Sequence, residues 1–426
     1  MTDIDPELRR LADAIEQSHE SWLLLGRAGT GKTTLLRLLR KHSRKSIAFL
    51  APTGVAALNI GGETLHSFFR FKPPFEYLQP RKLWGNALRE LECVVIDEIS
   101  MVSPQLLDAV DQSLRLNGPR RDRPFGGVQM ILVGDLYQLP PVENKPPAEP
   151  GPELVEYDSP YFFSAKVLER WTPRLHELQR IYRQTNIEFL DLLQAVREGQ
   201  LSDRHWNLLN SRVEPDAIDP ESDEYLVLTT TNWRVQQLND RYLQALPGEL
   251  QTYAAYRDGD FPVQHVNVES ELRLKEGAQI MFVRNKTGSW QNGTLGRVVG
   301  LEAEKITVEV PGTDKPDYLE VPYEKWEAYR MDFDAEEGRW KPKVRGSLWQ
   351  LPVRLARAIT IHKSQGKTYD KAAIDLGSGA FAHGQLYVAL SRCRTLENVV
   401  LTRPVRETDL IVDPRVREWM QQVGVD

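Results

Sequence analysis

Apolar positions along the first part of the chain follow two alternating patterns. Short, almost continuous apolar runs lie at 22–25 (WLLL), 47–51 (IAFLA), 93–97 (CVVID) and 128–134 (VQMILVG). They have the length and continuity of strands buried on both faces. Between them, apolar residues recur at helical spacing over 7–17, 32–42, 80–91 and 104–116, predicting helices with one buried face. This alternation predicts an α/β fold in which helices cover both faces of a parallel sheet. A proline-rich stretch at 143–152 (ENKPPAEPGP) reads as an extended loop, and an acidic stretch at 216–224 separates this region from the next. A second alternating region opens with a strand at 225–229 and a helix at 232–245, and resumes over 356–376 and 384–401. From about 249 to 355 the pattern changes to short β runs (IMFVR, RVVGL, ITVEV) with an Asn292-Gly293 turn signal. A small barrel or sheet inserted into the second α/β region is expected there.

At 426 residues the chain is too long for one ordinary core, so two or more domains are expected. Its 41% hydrophobic and 27% charged residues match a globular protein. The apolar runs are too short to span a bilayer, and MTDIDPELRR has no apolar signal core, so a cytoplasmic protein is expected. Two cysteines, Cys93 and Cys393, exclude a disulfide framework. Cys93, inside an apolar run, reads as a core residue. The net charge of −6 argues against a basic body that coats nucleic acid, and leaves room for a narrow basic channel.

Chemistry enters at residues 26–33, GRAGTGKT. This glycine-rich loop follows one strand and opens one helix, so its backbone N–H groups turn toward a polyphosphate. Gly29, Thr30, Gly31, Lys32, Thr33 and Thr34 form the candidate nucleotide cradle. Lys32 would reach the β/γ-phosphates, and the Thr33 hydroxyl would ligate Mg²⁺. The run at 94–98, VVIDE, ends a buried strand in two carboxylates at the ligand side of a parallel sheet. Asp97 would hold Mg²⁺ and Glu98 would deprotonate the attacking water. Gln138, in GDLYQLPP after the fourth strand, is placed to sense a γ-phosphate. Arg183 and Arg392, both beyond the first α/β region, are candidate arginine fingers reaching the nucleotide across a cleft. The block 357–368, RAITIHKSQGKT, concentrates polar and basic groups around Gly366 in a phosphate-gripping composition.

Taken in order, these blocks resemble superfamily 1 DNA helicases, in particular the Pif-one (petite integration frequency) group, relatives of RecD and Dda. The resemblance runs from about residue 20 to 401. It is carried by GRAGTGKT (26–33), APTGVAA (51–57), GGETLHSFF (61–69), VVIDEISM (94–101), PFGGVQMILVGDLYQLPPV (124–142), LQRIYRQ (178–184), LTTTN (228–232), AITIHKSQGKT (358–368) and YVALSRCR (387–394). It implies two RecA-like P-loop domains with ATP and Mg²⁺ between them, over 1–172 and over 173–276 with 356–426. The segment 277–355 would be a small inserted β-barrel. It implies ATP-dependent 5′-to-3′ movement on single-stranded DNA and unwinding of duplex, in replication, repair, recombination or telomere-type maintenance. Single-stranded DNA and single-strand/duplex junctions would be partners, with G-quadruplex and RNA–DNA hybrid as further substrates. By the resemblance, Pro52, Thr53, His66, Phe68, Asn232, His362, Lys363 and Ser364 would touch DNA. A segment near 66–85, with Phe71, Pro73, Pro74 and Phe75, is placed like the wedge that splits duplex, and Trp290 and Trp349 are candidates for base stacking. A monomeric minimal motor working at a bacterial nucleoid is the expectation.

One departure stands out. The family carries a glutamine early in the N-terminal helix that reads adenine. Here residues 5–17 read DPELRRLADAIEQ, and the one glutamine, Gln17, lies at the helix end. Either another group reads the base or selectivity is looser. Two other classes share the phosphate loop. A P-loop kinase or transferase leaves the second α/β region and Arg392 unexplained. A nucleotide-switched binding module would have no use for Glu98.

Overall fold

The computed structural model describes residues 5–71, 78, 80–82, 88–141, 156–184, 186–219, 224–261, 268–286, 289–290, 292–311, 315–334 and 339–424, with backbone alone for 55, 58 and 329–343. The chain forms two compact units, residues 1–214 with 361–426, and residues 215–360.

The first unit starts at helix α1 (Pro6–Gln17). Asp5 caps it by accepting from the Glu7 N–H at 2.7 Å, and Pro6 supplies a preset φ at the first helical position. Such a cap stabilises a helix by about 1 kcal/mol. Leu8, Leu11, Ala12 and Ile15 form the buried stripe. The chain continues through β1 (Trp22–Gly26), α2 (Lys32–His42), β2 (Ile47–Ala51), α3 (Gly54–Asn59), β3 (Glu63–Thr64), α4 (Leu65–Phe68), β4 (Cys93–Ile96), α5 (Pro104–Asn117), β5 (Gln129–Gly134), β6 (Arg174–Leu178), α6 (Ile187–Glu198) and α7 (Asp203–Asn210). Six parallel strands pair in the order β3-β2-β4-β5-β1-β6. The sheet therefore takes its edge strand from 174–178, past residue 172. Leu24, Val95, Ile131 and Val133 on one face pack against Leu8, Ile15, Leu35 and Leu39 of the helices. All parallel strands end on the same side, so the loops after β1, β4 and β5 share one crevice.

The helix expected over 80–91 does not form at the described residues. Residues 80–82 are irregular and 88–90 make a turn that buries Leu88 and, just after it, Leu91. Two anchored leucines three apart mimic helical periodicity without one. Of the wedge candidates, Phe71 is buried and stacked on Phe69 at 5.7 Å between centroids, while Pro73, Pro74 and Phe75 lie outside the described residues, as does the proline-rich stretch at 143–152.

In the second unit, β7 (Leu226–Thr229) leads into α8 (Asn232–Ala245), capped by the Thr231 side chain. Strands β8 (Gln251–Ala254), β9 (Tyr256–Gly259), β10 (Glu271–Leu274), β11 (Gln279–Phe282), β12 (Leu295–Leu301), β13 (Lys305–Val310), β14 (Asp317–Pro322), β15 (Glu324–Asp334), β16 (Arg339–Gln350), β17 (Val353–Leu355) and β18 (Ala358–Thr360) follow. β7 and β18 pair in parallel. The expected barrel is instead an open antiparallel sheet, ordered β14-β13-β12-β11-β17, and among the described residues no pairing joins its two edges. Strict alternation along β13 puts Ile306, Val308 and Val310 into its core. Trp290 belongs to that core too, stacked on Phe282 at 4.7 Å, and so offers no free face to a base. Trp349 is half-buried, beside Tyr256 at 5.3 Å and under the Lys325 ammonium at 5.1 Å.

The chain then returns to the first unit through α9 (Ile361–Ser364), β19 (Ala372–Asp375), α10 (Gln385–Leu390), β20 (Val399–Leu401) and α11 (Pro414–Gln422), with β19 and β20 paired in parallel. Every residue of α10 is buried. Among the described residues no helix is long and apolar enough to cross a membrane.

Candidate nucleotide site

The loop after β1 turns through two glycines with φ near +86° and +87°, Gly29 and Gly31. A side chain at Gly29 would also meet the Arg183 Cβ at 2.7 Å, so this position needs glycine for its backbone and for the close approach of Arg183. α2 starts at Lys32 with no side-chain cap, leaving its first N–H groups for an anion. Lys32 Nζ donates to the carbonyls of Gly26 at 2.5 Å and Arg27 at 2.8 Å. Thr30 is buried and donates to Arg27 O, whereas Thr33 is half-buried and Thr34 exposed. Thr30 thus braces the loop from within.

Asp97 and Glu98 follow β4, as its apolar run predicts. Glu98 has φ +51°, a left-handed conformation that costs energy in a residue with a Cβ and gathers at functional sites. Its N–H donates to Asp97 Oδ1 at 2.9 Å, and its Oε2 accepts from Gln365 Nε2 at 3.0 Å. Burial, and then the neighbouring Glu98 charge, push the Asp97 carboxyl up to about 7. Burial also raises Glu98, against the pull of Lys32, Arg392 and Gln365. Burial lowers the Lys32 ammonium, and Asp135 and Glu98 oppose that. Two adjacent carboxyls, one buried and one half-buried, held toward their neutral forms suit a divalent cation, whose charge would reverse the effect.

Behind them lies a network that sequence reasoning did not single out. Asp135, just past β5, is buried; it accepts from Gln138 Nε2 at 3.2 Å and from the Tyr387 hydroxyl at 3.1 Å, and Arg197 Nε stands 3.5 Å away. Burial raises its carboxyl, but Arg197, Lys32 and these hydrogen bonds outweigh that and hold it below its ordinary value. The Tyr387 hydroxyl in turn accepts the Ala28 N–H of the phosphate loop at 3.0 Å. Among the described residues Gln138 Oε1 has no partner, leaving an acceptor beside the cleft. The signal for Asp135 was present, since it follows a buried strand as Asp97 does. Nothing local marked Tyr387, Arg197 or Gln365, whose partners are remote in sequence.

Arg183 and Arg392 fall in the same compact unit as the phosphate loop. Arg392 is buried and already anchored. It donates to Val388 O at 2.7 Å, Lys367 O at 3.1 Å, Ser364 O at 3.4 Å and Ser391 Oγ at 2.7 Å. Arg183 donates to Ser391 O at 3.2 Å, and burial with the nearby Arg392 charge lowers its guanidinium to about 10. A cleft of about 720 Å³ is lined by Lys32, Thr33, Glu98, Gln138, Arg183 and Arg392, with Gly366 at its wall and Asp5, Leu8, Arg37 and Tyr182 among its other lining residues.

The residues expected to touch DNA are spread over both units. Pro52 and Thr53 sit half-buried between β2 and α3, and Thr53 Oγ1 accepts from the Ala56 N–H. His66 and Phe68 are on α4. His362 and Lys363 are half-buried on α9. Asn232 is exposed at the first position of α8, in the second unit. Ser364 departs from the expectation. It is fully buried and its hydroxyl donates to Ile361 O at 2.7 Å, so it serves the helix interior.

A model of the PIF1-like helicase family matches residues 8–207. The ATP-dependent DNA helicase Pif1 of Bdellovibrio bacteriovorus is 31% identical over 99% of this chain and 92% of its own length. The chain belongs to the PIF1-like helicases. The human ATP-dependent DNA helicase PIF1 is 36% identical over 89% of this chain, which spans 58% of the human protein's length. The Bacteroides Pif1 helicase, in a crystal structure with ADP-AlF3 and ssDNA, superposes with a TM-score of 0.77 at 33% identity, covering 100% of this chain and 99% of that one. Members of the PIF1-like family thus share this chain's fold over its whole length.

Proposed function

We propose that this chain is an ATP-dependent DNA helicase that moves 5′-to-3′ on single-stranded DNA. The observation that carries the reading is the convergence of Lys32, Thr33, Glu98, Gln138, Arg183 and Arg392 on one cleft. The Bacteroides relative's capture with ADP-AlF3 and ssDNA supports both halves of it. On nucleotide binding, Lys32 leaves the loop carbonyls and engages the phosphates, while the free N–H groups of α2 receive them. Thr33 and Asp97 would hold Mg²⁺, which would neutralise phosphate charge. Glu98 takes the proton of the attacking water, and burial raises its affinity for that proton. Gln138 orients that water or senses the γ-phosphate, and Arg183 and Arg392 stabilise the transition-state charge. The Tyr182 ring and Leu8 give apolar surface to a base at the mouth of the cleft, in place of the missing early glutamine.

We read the chain as two RecA-like domains around the insert 277–355, with the first extended past residue 172 to take in β6 (Arg174–Leu178). The parallel pairs β7–β18 and β19–β20 support a second α/β domain. Pro52, Thr53, His66, Phe68, His362 and Lys363 in the first unit contact DNA, and so does Asn232 in the second. Junctions, G-quadruplexes and RNA–DNA hybrids are its substrates, and the motor acts as a monomer. ATP hydrolysis should rise with added single-stranded DNA, and a duplex with a 5′ tail should open in preference to one with a 3′ tail. Hydrolysis indifferent to DNA refutes the motor, and equal or reversed tail preference refutes the polarity.

A further inference from the structure

We infer that Gln365 is the positioning residue that ties the Glu98 carboxylate to the DNA-facing helix α9, so that strand binding at His362 and Lys363 is felt at the hydrolytic base. The inference rests on the helicase reading above. Gln365 is the residue immediately after α9, and it is buried. Its Nε2 donates to Glu98 Oε2 at 3.0 Å, a contact between residues 267 positions apart. The next residue, Gly366, has φ +75° and passes so close that a side chain there would sit 3.6 Å from Glu98 Oε1 and 3.0 Å from Asn59 Nδ2. Both oxygens of Glu98 therefore face the 365–366 segment.

That segment is held as a unit. Arg392 donates to Ser364 O and Lys367 O, on either side of Gln365, and Gln365 N donates to His362 O at 3.4 Å. A shift of α9 cannot be absorbed between His362 and Gln365, because a single short turn joins them. Gln365 Oε1, the other end of the amide, is buried and among the described residues has no hydrogen-bond partner. Glu98 itself sits in a left-handed backbone conformation, and its Oε2 accepts the Gln365 hydrogen bond. Gln365 makes that contact with one donor and no charge. A lysine there would pair with the base and silence it, and a carboxylate would repel it.

The test compares wild type, Gln365→Met and Gln365→Glu by steady-state ATP hydrolysis, with and without saturating oligo(dT). Methionine keeps the volume and removes the donor. The expected result is a fall of about tenfold or more in the ratio of DNA-saturated to DNA-free kcat for Gln365→Met, since small misplacements of a catalytic group cost that much. Gln365→Glu should fall further. ATP KM and oligo(dT) Kd should stay within about twofold of wild type, which also reports that the variants fold. An unchanged ratio overturns the inference. So does a weakened oligo(dT) Kd with normal kcat at saturating DNA, which makes Gln365 a strand-binding residue. Glu98→Gln combined with Gln365→Met should hydrolyse no more slowly than Glu98→Gln alone, because the positioned group is already gone. Additive losses overturn the link. Failure of the helicase reading shows separately, as wild-type hydrolysis that ignores oligo(dT), and it takes this inference with it.

Discussion

Tyr387→Phe isolates one oxygen in the network behind the phosphate loop. The ring volume stays, so no cavity forms, and only the hydroxyl is lost. That hydroxyl accepts the Ala28 N–H at 3.0 Å and donates to Asp135 Oδ2 at 3.1 Å. Ala28 is buried, so its N–H is left without an acceptor, at a cost of about 1–3 kcal/mol. Asp135 loses one donor but keeps Gln138 Nε2, the Tyr137 N–H and nearby Arg197. A hydrogen bond to a charged group in that setting contributes about 1.5–3 kcal/mol. The sum is about 2.5–6 kcal/mol. At about 2 °C per kcal/mol for a unit of this size, the melting temperature should fall by about 5–12 °C. The loop that loses its anchor also cradles phosphate, so ATP KM should rise about three- to tenfold while kcat changes less. Differential scanning fluorimetry without nucleotide and steady-state hydrolysis measure the two effects. A melting temperature within about 1 °C of wild type, with KM unchanged, refutes the idea that Tyr387 anchors the loop.

Lys32→Ala should abolish hydrolysis and unwinding while filter binding shows most single-stranded DNA affinity retained; persistent unwinding removes Lys32 from the proposed chemistry. Arg183→Ala should lower kcat by about 10³-fold, the scale of an arginine finger, with little change in melting temperature, because among the described residues its guanidinium makes one bond, to Ser391 O. Arg392→Ala should lower both kcat and stability, since four donor contacts go with it; equal melting temperatures for the two variants contradict the assignment of Arg392 as an anchored residue. For pH, His383 accepts the Asp413 N–H at Nδ1 and donates from Nε2 to Leu136 O, and burial holds it below its ordinary value. The unfolded chain therefore takes a proton that the folded one refuses. Stability should fall on acidification below about pH 6.5, by up to about 1.4 kcal/mol per pH unit for this residue, and thermal melts from pH 7.5 to 5.5 should show a shallower fall for His383→Gln.

Elements with a single period were legible in the sequence. The continuous apolar runs of β1, β2, β4 and β5, and the helical stretches of α1, α2, α5 and α8, appear within a residue or two of where the pattern placed them. The turn at 88–90 defeated the same reasoning, because two buried leucines three apart satisfy a helix period and a tight turn alike. Trp290 defeated it differently. A tryptophan in a polar, glycine-containing loop looks available for stacking, but a core partner, Phe282, lies across the sheet.

The groups proposed to carry chemistry divide along the same line. Residues on one loop, Gly29 through Thr34, or at the end of one strand, Asp97 and Glu98, are set by local geometry: a strand must end, a helix must start, and its N–H groups must point somewhere. Those the sequence determined by itself. Only the tertiary structure decided that Ala28, Tyr387 and Asp135 share one hydroxyl, that Gln365 holds Glu98, and that Arg392 is anchored by carbonyls on two segments. Each of these contacts joins residues brought together by burial, where a donor without an acceptor is expensive. The partner is chosen by which polar atoms the packed core leaves within reach, and no local pattern records that choice.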